Sequence, residues 1–209
     1  MQLYLVLLLA GGLVTACAGE PAEQPHRKLL WSDGAATTYT SARITTSTKY
    51  ATTHGRIEVR AKLPDGRGTW PAFWMLGDDF PDVGWPTSGE IDVMEHVGNK
   101  PGEVSGTLHG MTEDGGHWYL TRNTQVPAVT SDFHTFAADW QEDSVTLSVE
   151  GKDYGRIDRD EVEEKGTWPF DKPFFLLLNL AVGGDLGGEV PPSTTWPQEY
   201  VVDWVRVYH

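Results

Sequence analysis

A single cysteine, Cys17, in a chain of 209 residues leaves no partner for an intrachain disulfide, so the core alone must hold the fold. Basic residues are also scarce: 16 Lys and Arg against 30 Asp and Glu give a net charge of −14. Phosphate backbones and anionic lipid surfaces repel so acidic a chain, which argues against nucleic acid as a partner and favours a neutral substrate over a heavily sulfated one. Repeats, low-complexity tracts and a second linker are missing, and only residues 159–165 read as helix. No His/Cys cluster has the spacing that zinc or another transition metal requires.

Charge is missing altogether from residues 1–17, and residues 3–14 are almost wholly apolar. The stretch is too short for a membrane span with flanks and reads as the apolar region of a signal peptide. Ala16-Cys17-Ala18 offers a small-residue cleavage site, whereas Val14-Thr15-Ala16-Cys17 resembles a bacterial lipoprotein signal in which Cys17 is lipidated. The lipoprotein form is the favoured expectation, with residues 18–28 as a polar tether and attachment to a membrane through Cys17. The protein is then expected to be secreted or held at the cell envelope.

Beyond the tether, strand signals dominate. The run from His54 to Leu63 alternates apolar and charged residues before the Pro64-Asp65-Gly66 turn cluster. Phe174 to Leu180 is continuously apolar apart from Asn179, as expected of a strand buried on both faces, and Tyr200 to Tyr208 is a further strand. Many short strands joined by Gly and Pro turns predict an all-β antiparallel sandwich, with one domain over residues 29–209 acting as a monomer.

Within this pattern Glu90-Ile91-Asp92-Val93-Met94-Glu95 places three acids in one short strand. Crowded carboxylates repel one another and lose hydration, so a strand that had only to fold would avoid them. On one strand face, however, they suit acid/base and nucleophilic chemistry. Side chains alternate, so Glu90 and Asp92 share a face and a regular strand would turn Glu95 away. An extra residue at Val93-Met94, a β-bulge, would return Glu95 to that face.

Nine tryptophans are a heavy load for this length. Their faces suit the C–H faces of sugar rings, and the indole N–H can bond a hydroxyl. Trp140 and Trp204, in alternating strands, are expected in the core. Trp70, Trp74, Trp85 and Trp118 flank the acidic strand and are expected to line a polymer-binding cleft. His96 follows the acids but by alternation faces away, and Arg56 and Glu58 read as surface or structural residues.

Ser88-Gly89-Glu90-Ile91-Asp92-Val93-Met94-Glu95-His96-Val97-Gly98 closely resembles the catalytic signature of family 16 glycoside hydrolases. The inserted Met94 is similar to the laminarinase-like endo-β-1,3-glucanase branch rather than the lichenase branch, whose strand is regular. The resemblance extends through Tyr39-Thr40-Ser41-Ala42-Arg43-Ile44, Trp70-Pro71-Ala72-Phe73-Trp74, Gly106-Thr107-Leu108-His109, Asn179-Leu180-Ala181-Val182-Gly183-Gly184 and Asp203-Trp204-Val205-Arg206-Val207-Tyr208. It implies a jelly-roll sandwich with a concave substrate groove. It also implies Glu90 as nucleophile, Glu95 as general acid/base and Asp92 between them. Trp70, Trp74, Trp85, Trp118, His109 and Asn179 would contact a polysaccharide substrate. No cofactor is implied for catalysis, but Asp203 would contribute to a structural calcium site. Mixed-linkage β-glucanase or agarase activity, or carbohydrate binding without cleavage, are the alternatives.

The resemblance is incomplete before Tyr39. Leu30-Trp31-Ser32-Asp33 matches the start of the family domain, but the strands that ordinarily follow it are missing, so one wall of the groove is expected to be short.

Overall fold

A computed structural model describes residues 39–209 and the backbone of one further strand, Leu5–Leu9. The described residues form thirteen strands and three short helices. One sheet runs in the order β1 (Leu5–Leu9), β13 (Gln198–Tyr208), β4 (Gly55–Lys62), β9 (His134–Gln141), β10 (Ser144–Val149) and β11 (Lys152–Asp158). The second runs β2 (Arg43–Thr45), β12 (Phe174–Val182), β5 (Thr69–Gly77), β6 (Glu90–Glu95), β7 (Glu103–Met111) and β8 (His117–Gln125), with β3 (Ala51–Thr52) also pairing β12. All pairings are antiparallel, and the two sheets form the expected jelly-roll sandwich. The helical reading of 159–165 corresponds to α2 (Arg159–Glu163), which follows α1 (Phe80–Val83) and precedes α3 (Gly184–Gly187).

Alternation explains the core. Ile57, Val59 and Ala61 of β4 face Phe73 and Met75 of β5, Ile91 of β6 and Leu108 of β7 across a dry interior. Trp140 is fully buried, sets its ring edge-on to Phe174 and donates its indole N–H to the Phe170 carbonyl at 3.2 Å. The polar end of the largest side chain is thereby satisfied, and truncating such a ring to alanine costs about 3–5 kcal/mol.

Strand β12 is buried on both faces, as its continuous apolar run suggested. Phe174, Leu176, Leu178 and Leu180 enter the main core, while Phe175 and Leu177 join Leu76, Ala51 and Trp74 in a small apolar cluster on the outer face of the second sheet.

Two tryptophan expectations need correction. Asp203 is the extra residue where β13 slips register against β4 between Val202 and Trp204. Tyr200 and Val202 precede the slip and are buried; after it Val205 and Val207 pack inward. Trp204 therefore turns outward beneath the Arg206 guanidinium, 4.0 Å from the ring centre, instead of entering the core. Trp118 is the converse case: expected in the cleft, it is 4% exposed, donates to the Met111 carbonyl at 3.0 Å and packs edge-on to Phe170.

Within the segment expected to be a signal peptide, the backbone of Leu5–Leu9 lies along Gln198–Val202 at the edge of the first sheet. Cys17, the 18–28 tether and Leu30-Trp31-Ser32-Asp33 lie outside the described residues. At the corresponding edge of the second sheet, β2 is three residues long and pairs only with β12 among the described residues.

Candidate active site

Strand β6 lies between β5 and β7, and its irregular register creates the site. Against β5, Phe73 pairs with Met94 and Trp74 with Asp92, leaving Val93 without a partner. Against β7, Asp92 opposes Thr107 and Glu95 opposes Ser105, so Val93 and Met94 together face Gly106. Two residues against one is a β-bulge, at the position parity required. Val93 and Met94 both enter the core, at 1% and 0% exposure, and Glu95 returns to the outer face with Glu90 and Asp92.

Gly106 makes this bulge possible. A Cβ there would lie 2.9 Å from the Asp92 carbonyl oxygen and 2.6 Å from Leu147 Cδ1, closer than either can tolerate. Gly106→Val is therefore expected to displace the bulge, lowering the melting temperature and removing activity together; wild-type values of both would refute this account.

Each acid has a distinct partner. Trp85 Nε1 donates to Glu90 Oε2 at 2.7 Å and Trp70 Nε1 to Glu95 Oε1 at 2.9 Å. Nε2 of His109, opposite Glu90 on β7, lies 2.9 Å from Asp92 Oδ2, although the approach is not aligned as a hydrogen bond. Glu90 and Asp92 share one strand face, close enough for each to act on the ionisation of the other. Donor atoms of Glu90, Asp92 and His109 all fall within 4.8 Å of one another. Thr107 Oγ1, beside the bulge, lies 3.1 Å from Thr121 Oγ1.

Burial, then the Asp92 charge, pushes the Glu90 carboxyl up to about 8. Burial and the Glu95 charge hold Asp92 well above the usual range. Burial also raises Glu95, against the hydrogen bond from Trp70. Asp92, at 3% exposure, is the most buried of the three, so loss of hydration opposes its charge most strongly. A neutral Asp92 removes the charge that opposes ionisation of Glu90.

These raised acids also affect stability. A group whose folded pKa exceeds its unfolded value supports the fold below the unfolded value and loses that support as pH rises through the folded one. For Glu90 the window runs from 4.5 to about 8. Glu90→Gln is thus expected to melt higher than wild type at the top of this window and level with it at the bottom. Parallel melting curves at all pH values would show that Glu90 carries no such strain.

The remaining expected contacts divide. Trp74 lies on the outer face, donates to Asn179 Oδ1 at 2.7 Å and carries the Arg43 guanidinium 4.7 Å from its ring centre. Trp85 is 47% exposed beside the acids, whereas Trp118 is in the core. His96 is buried and bonds the Glu103 carbonyl, facing away as expected. Arg56 is paired with Glu58 and Asp139 on the first sheet. His117 and Tyr119, on either side of Trp118, belong to the outer face; their rings lie beside His109, and His117 also lies beside Trp85. Sequence reading missed them, although burying Trp118 by alternation would have turned both outward.

Asp203 does not fit a calcium ion. Its carboxylate is paired with the Arg60 guanidinium, whose positive charge opposes a second cation, and it joins no cluster of acidic or histidine ligands among the described residues.

Comparison with known proteins agrees with this geometry. A family model described as glycosyl hydrolases family 16 matches residues 23–206. A beta-glucanase from Rhodothermus marinus is 44% identical over 81% of this chain and 62% of its own length. Glucan endo-1,3-beta-glucosidase A1 from Niallia circulans is 39% identical over 81% of this chain, which spans only 26% of that longer protein. The laminarinase catalytic domain of Thermotoga maritima MSB8 superposes with a TM-score of 0.75 at 44% identity, covering 81% of this chain and 69% of that one. With the family model spanning nearly all the described residues and the bulged acidic strand within it, the chain belongs to the glycosyl hydrolases family 16.

Proposed function

We propose that the protein is a retaining endo-hydrolase of β-1,3-glucan. The observation that carries this reading is the bulge, which brings Glu90 and Glu95 to one sheet face with a tryptophan N–H on each. Retention requires two carboxyls about 5–5.5 Å apart, one ionised and one protonated. Glu90 attacks the anomeric carbon while Glu95 gives its proton to the departing glycosidic oxygen. The C–O bond breaks and a glycosyl ester forms on Glu90. Glu95, now a carboxylate, takes a proton from water as the water oxygen attacks the same carbon and releases Glu90. Asp92 holds its proton throughout and donates a hydrogen bond to Glu90.

The named relatives support β-1,3-glucan as the substrate class. Reducing-sugar release from laminarin, lichenan and agarose tests it, together with the anomeric configuration of the first product. Laminarin cleavage to a β-configured end is expected. Cleavage confined to agarose or lichenan would reassign the substrate; binding without cleavage would make the protein a carbohydrate-binding member of the family. An inverted first product would eliminate the covalent route.

The uncharged first segment and Cys17 also support export, with the protein secreted or lipid-anchored. Membrane-fraction partitioning that is lost in Cys17→Ser would support the anchored form.

A further inference from the structure

His109 does not end the line of contacting side chains that begins at Glu90 and passes through Asp92. Its Nδ1 lies 2.9 Å from Nε2 of His117, the two rings stack at 16°, and the His117 ring also lies against Trp85, 4.4 Å between ring centres. Two imidazole nitrogens at this distance share one hydrogen, so the donor at this contact determines where His109 carries its own proton. If His117 donates, a neutral His109 must carry its hydrogen on Nε2, the nitrogen 2.9 Å from Asp92 Oδ2. If His109 donates, a neutral His109 has a bare Nε2 lone pair facing Asp92, which then turns its proton toward the ring and away from Glu90.

We propose that His117 is a positioning residue: by donating to His109 Nδ1 it fixes the His109 tautomer and so directs the Asp92 proton onto the nucleophile. The inference rests on the hydrolase reading above. In the productive arrangement His117 Nε2–H bonds His109 Nδ1, His109 Nε2–H faces Asp92, and Asp92 O–H bonds Glu90, which also receives Trp85 N–H. Glu90 then accepts two hydrogen bonds as a carboxylate, the ionised form that attack requires. His117 is exposed and His109 partly buried, so the chain connects buried Asp92 with solvent. Burial lowers both imidazoles from their ordinary values, which keeps them neutral and tautomeric at working pH.

The other charged or titratable groups around this chain are Glu95 of β6, Arg43 of β2 and Tyr119 of β8. Arg43 and Glu90 act on each other through their charges, and Glu95 acts on His109. None of these contacts sets which His109 nitrogen is protonated. The contact with His117 does.

Two measurements test the assignment. In His117→Phe, which keeps a ring against Trp85, the acidic limb of the kcat/KM profile on laminarin is expected to move up by about one pH unit, roughly a tenfold loss on that limb. His117→Gln, whose amide can donate to Nδ1, is expected to move it back. A raised KM with an unchanged limb would make His117 a substrate platform and overturn the proposal. The second measurement needs no activity: nitrogen-15 NMR of wild-type protein should show His109 Nδ1 unprotonated and Nε2 protonated, reversing or mixing in His117→Phe. A protonated Nδ1 in wild type would overturn the proposal even if laminarin is cleaved. The expected tautomer in a protein that cleaves no glucan would instead place the failure with the hydrolase reading.

Discussion

Glu90→Gly is expected to lose about 10,000-fold in laminarin hydrolysis while keeping its fold, because no group remains to form the glycosyl ester. The informative measurement is the product formed with azide and a β-glucosyl donor bearing an activated leaving group. Azide can enter the space left by the carboxylate and attack from the same side. Glu95 is still present to protonate a leaving oxygen, and the product is the α-glycosyl azide. A β-azide from this variant would show that Glu90 is not the nucleophile. Near-wild-type laminarin hydrolysis would remove Glu90 from the reaction altogether.

Glu95→Ala is expected to fail differently. Hydrolysis of polymer should fall about 100- to 10,000-fold, the usual contribution of a positioned general acid. A donor whose leaving group needs no proton should still load Glu90 at a substantial rate, giving a burst of released group followed by slow turnover. Azide now intercepts the glycosyl ester and gives the β-azide through two inversions. Equal losses for activated and unactivated donors would refute the acid role. Because Trp70 N–H loses its acceptor in this variant, melting curves should accompany the kinetics.

Much of this site was legible from parity alone. The spacing of Glu90, Asp92 and Glu95 demanded one extra residue, and the register contains it where Val93 and Met94 oppose Gly106. The two-faced burial of β12 followed from its unbroken apolar run. Parity failed where it was applied only once. A second bulge, at Asp203, turned Trp204 outward, and no crowding of acids signalled it. Trp118 was read from the company it keeps in the chain and not from its place in an alternating strand, so His117 and Tyr119 were passed over. The partners of the acids were less legible: Trp70 and Trp85 are twenty-five and five residues from the carboxyls they bond, pairings set by register and loop path.

The bulge also has a mechanical consequence. A regular strand sends every second side chain into the core, but β6 sends Ile91, Val93 and Met94, so its anchorage is concentrated directly beneath the space between Asp92 and Glu95. At the far edge, β2 is held through three residue pairs to β12. Local opening follows the weaker anchorage. Amide hydrogens of β2 will exchange with solvent long before those of β6, and Arg43 will move with β2 while the carboxyls stay in place. On the proposed reading, the face is stiff beneath the reacting carboxyls and yielding toward the edge that a polymer would cross.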